Sequence, residues 1–325
     1  MNKNLALLAD IGGTHARFAL TDGVSLLDEQ QLQCADFLTI ELAVDHYLGA
    51  IAKQHPIQQA ALSIAAPLTG DQVNMTNHHW QFSISALRQR LCLRRLIVLN
   101  DFTALAMAIR YLPQDQLKQL GGISNNRTAP IALLGAGTGL GVSGLVPSDT
   151  HWLPLQGEGG HVSLAPGNAR EGAVIKILWQ RFGHVSAERV LSGPGLVNLY
   201  IALCELEGLQ PQLITAAEIS ERGMSGGCAI CAEVLQLFCA LFGSVAGNLV
   251  LTLGATRALY IGGGIVPRLG DYFVRSDFRQ RFEGKGRYVN YLQPVPVYVI
   301  HSPHPAFVGL MHSFTLPGPR IESNC

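Results

Sequence analysis

The sequence predicts an α/β fold built as two similar lobes, and a motif used twice predicts it. Near the start, an apolar run ends in Asp10-Ile-Gly-Gly-Thr14 and resumes as Ala16-Arg-Phe-Ala-Leu20. Later, Ile131-Ala-Leu-Leu134 runs into Gly135-Ala-Gly-Thr-Gly139 and resumes as Leu140-Gly-Val142. Each reads as strand, tight glycine turn, strand. Glycine tolerates positive φ and lets backbone N–H groups come close to a ligand, so such turns cradle phosphate oxygens. One in each half implies a duplicated unit with a nucleotide held in a cleft between the lobes. Length agrees, since 325 residues suffice for two cores. The 35 glycines suit a fold with many tight turns.

The elements follow in order. A hairpin is expected through Leu5–Ile11 and Ala16–Thr21, then a strand at Gln59–Ile64 ended by Ala65-Ala-Pro67. Between Phe37 and Gln54 the spacing of Leu42, Ala43, Tyr47, Leu48 and Ile51 is helical. Leu96–Leu99 reads as a strand running into Asn100-Asp101, with a helix from Phe102 to Tyr111. The second lobe starts near Pro113 and carries helical patterns at Arg170–Arg181 and Pro194–Leu206. Leu259–Ile261 and Pro294–His301 read as strands, and Ala306–Leu316 as a helix returning to the first lobe. The lobes are therefore 1–111 with 302–325, and 112–301, joined by short hinges.

Composition narrows the function. Lys plus Arg and Asp plus Glu both number 23, so the formal charge is zero and no basic stripe suggests nucleic acid. Met1-Asn-Lys-Asn precedes no long apolar segment before Asp10, so no secretory signal is expected. The seven cysteines form no disulfide framework, and reduced thiols in a cytoplasm are the expectation. Val234–Ala255 carries no charge and contains Gly243-Ser-Val-Ala-Gly247, a pattern shared by membrane helices and by close-packed core helices. A buried core helix with no membrane partner is expected. Cys228-Ala-Ile-Cys231 resembles half a zinc site, but no second ligand pair sits at a suitable spacing, so core thiols and no zinc are expected.

Several residues stand where chemistry would need them. Asp10 ends a strand before Gly12, Gly13 and Thr14; its carboxylate suits Mg²⁺ through water, and equally an Asx turn with no ligand. An apolar strand, not a helix, follows the glycines, and no Walker lysine is present, so the two commonest nucleotide motifs fit poorly. Asp101 follows a buried strand at a helix start. It suits proton abstraction from a hydroxyl, and equally an N-cap. Glu158 and His161 lie in a glycine-rich loop. With Asn100 and Asp101 they suit a polyhydroxyl ligand, though a plain surface loop has the same composition. Glu188 adds an acceptor or an ordinary exposed glutamate. Gly262, Gly263 and Gly264 leave backbone bare for a flat base, or for a close helix–strand crossing.

Taken together, the segments Asp10–Thr14, Leu99–Thr103, Gly135–Gly141, Gly157–His161, Asn74–His78, His184–Gly195 and Gly262–Arg268 resemble bacterial glucokinases of the enterobacterial type. The likeness runs over nearly the whole chain, in order. It implies the two-lobed duplicated actin-like ATPase (ribonuclease H-like) fold of the hexokinase–actin–Hsp70 superfamily, with an interlobe cleft. It also implies ATP, Mg²⁺ and phosphorylation of the glucose 6-hydroxyl, the entry step of glycolysis, in a homodimer. By that resemblance Asp101 is the general base, and Asn100, Glu158, His161 and Glu188 bind sugar hydroxyls. Asp10 serves the metal, Gly12 to Thr14 with Gly137 and Thr138 the phosphates, and Gly262 to Gly264 the adenosine. Two departures stand out: His15 where the family usually has Asn, and the stretch from His301 to Gly309.

Three other readings compete. A filament or chaperone ATPase of this fold has no use for a ring of sugar ligands such as Glu158, His161 and Glu188. A sugar-responsive regulator without catalysis has no use for Asp101. A kinase for mannose or glucosamine shares most hydroxyl contacts and is separated only by assay.

Overall fold

The chain divides into two compact units, one of Met1–Leu112 with Ser302–Cys325 and one of Pro113–His301. The computed structural model describes residues 5–49, 57–76, 78–149 and 151–315. Asn77, the last turn expected around Ile51, and Leu316 lie outside the described residues.

In the first unit, β1 (Ala6–Ile11) and β2 (His15–Thr21) form the expected hairpin, and β3 (Leu26–Gln33) widens it. There follow α1 (Ile40–Leu48), β4 (Gln59–Ile64), a small hairpin of β5 (Gln72–Asn74) and β6 (Gln81–Ser83), and α2 (Ile84–Arg90). β7 (Arg95–Asn100) then leads straight into α3 (Asp101–Ala108). The sheet order is β3-β2-β1-β4-β7, with β1, β4 and β7 parallel. The period-two alternation of a strand sorts β1. Leu7, Ala9 and Ile11 join Ile40, Ala43, Val44 and Tyr47 of α1 in one core, while Leu8 joins Ala61, Leu99 and Ala104 in another.

The second unit opens with β8 (Leu117–Gln119), β9 (Ile131–Ala136), β10 (Leu140–Pro147) and β11 (Trp152–Leu155). Helices α4 (Ala169–Phe182), α5 (Gly193–Leu206), α6 (Ala216–Met224) and α7 (Ala229–Leu253) follow. Then come β12 (Ala258–Gly262), the short helices α8 (Ile265–Leu269), α9 (Asp271–Arg275), α10 (Phe278–Glu283) and α11 (Val289–Leu292), and β13 (Val297–Ile300). Its sheet order is β11-β10-β9-β12-β13-β8. Strand for strand this repeats the first sheet: an antiparallel trio, then parallel partners, with β8 added at the far edge. The duplication suggested by the paired glycine turns is thus present in the topology.

The apolar helix α7 is long enough to cross a membrane, but 67% of its most apolar window is buried inside the protein. Its glycines serve packing. A Cβ on Gly243 would lie 2.3 Å from the Phe278 carbonyl oxygen, and one on Gly247 2.5 Å from that of Phe282, so α10 presses its backbone against α7. Cys231 is buried as expected, whereas Cys228 is half-buried and is the N-cap residue of α7.

The C-terminal α12 (Pro305–Ser313) belongs to the first unit and packs on α3. Phe307 and Leu310 complete the core around Leu8 and Leu99. A Cβ on Gly309 would stand 1.8 Å from the Ala104 carbonyl oxygen, so the two helix backbones touch. Helix propensity favours alanine over glycine by about 1 kcal/mol. The crossing reverses that sign: we expect Gly309→Ala to destabilise the first unit by about 1–3 kcal/mol. Urea unfolding read by Trp80, in a background with Trp152 and Trp179 changed to Phe, measures that unit alone. Unchanged or raised stability would show that the crossing is slack.

Candidate active site

Parallel strands in α/β folds present their carboxyl ends to ligands. In the first unit, the register pairs Asp10 with Ser63 and Ile64 with Asn100, so Asp10, Ser63, Asn100 and Asp101 share one end of the sheet. The Asp10 carboxylate accepts from the Ser63 hydroxyl at 3.0 Å and faces Arg17 Nη1 at 3.4 Å. Burial pushes its pKa up, against the downward pull of Ser63, Arg17 and His304. It is therefore held by named partners and is not an isolated Asx turn. The hairpin turn closes with Gly12 N–H donating to the His15 carbonyl at 2.9 Å, and Thr14 is exposed.

The α3 start settles the alternative of a cap. Asn100 is the N-cap residue, its Oδ1 accepting from Phe102 N–H at 2.9 Å and Thr103 N–H at 3.4 Å. Its amide also donates to the Ala66 carbonyl at 3.4 Å. Asp101 is the first helical residue, half-buried, with Oδ1 2.9 Å from the Phe102 nitrogen.

In the second unit, three segments are knit together. The Gly159–His161 turn packs so tightly on β10 that a Cβ on Gly160 would meet the Leu140 carbonyl oxygen at 2.0 Å. Glu188 N–H donates to the Gly160 carbonyl at 2.9 Å, and Glu188 Oε2 accepts from Leu140 N–H at 2.8 Å. Its Oε1 lies 3.8 Å from His161 Nε2. Glu188 and His161 are thus neighbours, and Glu158 is exposed at the start of the same turn. The loop is anchored and not a loose surface segment.

In the glycine turns, close packing and not backbone angle calls for glycine at Gly135 and Gly139, whereas a Cβ on Gly137 would meet nothing within 4 Å. Gly12, Gly135, Gly137 and Gly139 all lie outside the left-handed region. A Cβ on Gly135 would meet Gly262 backbone at 2.4 Å, and one on Gly139 would meet Glu188 Oε2 at 2.5 Å. Gly263 alone in this group needs both, with φ +75° and the Ala136 carbonyl oxygen 2.3 Å from a Cβ position. The Gly262–Gly264 segment is therefore pressed against the end of β9, a strand–strand contact and not the helix–strand crossing that the sequence also allowed.

Beside it lies a pocket of ≈ 760 Å³ whose lining includes Gly137, Thr138 and Gly264. Gly262 and Gly263 are not on its wall. Most of the wall comes from residues the sequence did not single out: Leu196 and Val197 of α5, Ala217, Ser220 and Met224 of α6, and Arg268 of α8. One signal was available for α6. Thr215-Ala-Ala-Glu218 is a capping box, and both of its hydrogen bonds are present. Ile219 and Gly223 bury one face of α6, leaving Ala217, Ser220, Glu221 and Met224 to the pocket. Among the described residues no group of three or more His, Cys, Asp or Glu is placed to hold a metal.

A family model for glucokinase matches residues 7–316. The chain belongs to the glucokinase family. Being of that family, it is a sugar kinase that uses ATP. The glucokinase of Aromatoleum aromaticum is 52% identical over 305 residues, covering 93% of this chain and 92% of its own. That of Chromobacterium violaceum is 51% identical, covering 94% and 87%. The crystal structure of a glucokinase from an Antarctic psychrotroph superposes with a TM-score of 0.86 at 35% identity, over 96% of this chain and 99% of that one. The glucokinase-family fold, two α/β units each with a mixed sheet, is the one predicted from the repeated turn.

Proposed function

We propose that this chain transfers the γ-phosphoryl group of ATP to the 6-hydroxyl of glucose, and the observation that carries this reading is the pocket of the second unit. Its apolar wall and its size suit an adenosine, and it reaches the Gly137–Thr138 turn, where backbone N–H groups suit phosphate. Glu158, His161 and Glu188 offer acceptors to sugar hydroxyls, joined by the second amide hydrogen of Asn100. Asp101 accepts the 6-hydroxyl proton as that oxygen attacks the γ-phosphorus. Gly12, Gly13 and Thr14 serve the phosphates from the first unit. In this reading residues 1–111 with 302–325 act as one functional lobe and 112–301 as the other.

Mg²⁺ bound with nucleotide phosphates needs only one or two carboxylates and keeps several waters. Asp10, a single carboxylate already braced by Ser63 and Arg17, fits such water-mediated holding better than direct coordination. When bound, the ion neutralises charge on the phosphoryl oxygens. The reading is completed by a homodimer, which the family resemblance supports, and by a cytoplasmic setting without zinc, which the number and spacing of the cysteines support.

Turnover with ATP across glucose, mannose and glucosamine tests the substrate, and NMR of the product tests the position. Glucose is expected to give the highest kcat/KM, with phosphate on the 6-oxygen. Ala217→Trp, which fills the pocket from an exposed position of α6, is expected to raise KM for ATP about tenfold or more while leaving glucose affinity in place. Preference for another hexose would replace the substrate, and an unchanged KM for ATP would remove the pocket from the nucleotide site.

A further inference from the structure

Cys228 and Cys231 open the 25-residue helix α7. Cys228 caps it, with Sγ accepting from the Cys231 N–H at 3.4 Å. Cys231 stands three residues on, and residues so spaced on a helix are neighbours at about 5–6 Å between Cβ atoms, so a local shift brings them to the roughly 3.5–4.5 Å that a disulfide spans.

The two sulfurs sit in different surroundings. Cys228 is half-buried behind the exposed Ser225–Gly227 loop, and Cys231 is fully buried. The Cys231 N–H holds the Cys228 thiol below its ordinary range, with Arg222 helping, while burial pushes the Cys231 thiol up. An accessible sulfur that ionises readily, beside a protonated buried one, is suited to attack a disulfide and then to resolve the product.

The pair also packs against α6, the helix whose other face lines the pocket. Gly223 of α6 lies so close to α7 that a Cβ there would stand 2.6 Å from the Cys231 carbonyl oxygen. Ser220, Glu221 and Met224 of the same helix line the pocket. Drawing the two sulfurs together to bond length, about 2.0 Å, shifts the first turn of α7, and the Gly223 contact leaves no slack to absorb it.

We propose that Cys228 and Cys231 form a thiol–disulfide exchange site for a low-molecular-weight disulfide, and that its oxidation state reaches the pocket through α6. The second part rests on the reading of that pocket as the ATP site. The Cys228 thiolate attacks one sulfur of the small disulfide, forming a mixed disulfide and releasing one thiolate. Cys231 gives up its proton and displaces the second thiolate. Two protein thiols are thereby oxidised to one disulfide, and one small disulfide is reduced to two thiols.

The test equilibrates the full chain in buffers of oxidised and reduced glutathione, alkylates the remaining thiols and maps the bonds by peptide mass. ATP and glucose are titrated calorimetrically on each form. A Cys228–Cys231 bond is expected under oxidising conditions, reversed by reductant. With it, Kd for ATP rises about fivefold or more, the lower range of site-to-site coupling, while Kd for glucose stays put. Cys228→Ser is expected to block both effects, and Cys204→Ala, at the buried thiol beside the pair, neither. Cys228 is not a core residue, so its variant keeps the test valid even if Cys231→Ser misfolds. No internal bond, or only a lasting glutathione adduct, overturns the exchange site. A bond with unchanged ATP affinity overturns the link to the pocket. Reduced protein that binds no ATP overturns the reading of the pocket instead, and is seen before any oxidant is added.

Discussion

Asp101→Asn is expected to lower kcat by about 10²–10⁴, the usual worth of general-base help, while glucose Kd stays within about tenfold, or 1.4 kcal/mol. The substitution keeps size and an acceptor oxygen but removes the basic carboxylate. The structure makes this a clean test because the cap of α3 belongs to Asn100, whose Oδ1 bonds Phe102 and Thr103 N–H groups. The new amide oxygen can still face the Phe102 nitrogen, as Asp101 Oδ1 does at 2.9 Å. The helix start should therefore survive, and a loss of turnover would report proton transfer and not unfolding. A coupled assay gives kcat, and calorimetry gives glucose affinity. Near-normal turnover would sink the general-base assignment.

Arg281→Met should cost the second unit about 3–5 kcal/mol, the penalty for leaving one member of a buried ion pair alone. Glu171 is 1% exposed, and its two oxygens meet Arg281 Nη1 at 2.5 Å and Nη2 at 3.1 Å. Arg281 also donates to the Ser244 hydroxyl at 2.8 and 3.1 Å, so the guanidinium ties α4, α7 and α10 together. The Glu171 carboxylate holds its hydrogen bond with the Arg281 guanidinium strongly enough to raise the latter's pKa. Without the guanidinium, Glu171 keeps only the Gly167 N–H and the Asn168 amide. Adding Glu171→Gln should recover part of the loss, because the uncompensated charge is then gone. Chemical unfolding followed by circular dichroism measures both variants. A cost under about 1 kcal/mol, or no recovery in the pair, would mean that water reaches the carboxylate.

How far the sequence reached depends on the range of the interaction. Strand–turn–strand at Asp10–Thr14 and Gly135–Gly139 was legible because a strand's period of two and a glycine turn are local signals. The same holds for the long helix around Gly243–Gly247, whose apolar run allowed a core or a membrane setting. Burial of that helix against α10, with Phe278 and Phe282 backbone on its glycines, decided between them. The small elements α8, α9, α10 and α11 are too short to show a period and were not read.

At the candidate site, residue types at strand ends drew attention to Asp10, Asn100, Asp101, Glu158, His161 and Glu188. Their division of labour is tertiary. Which of Asn100 and Asp101 caps α3 turns on where the backbone becomes helical, and Asn100 is the last extended residue at ψ 151°. The meeting of Glu188 with Leu140 and His161 joins segments far apart in the chain. The pocket wall was least legible. Ala217, Ser220 and Met224 look like any half-exposed helix face until Ile219 and Gly223 are seated on α7 and turn that face toward Thr138 and Gly264. The sequence by itself determined the repeated scaffold, through hydrophobic period and glycine turns, and the family of the chain. Only the tertiary structure decided which side chains share a wall, because those contacts depend on packing between helices that carry no mark of their partners.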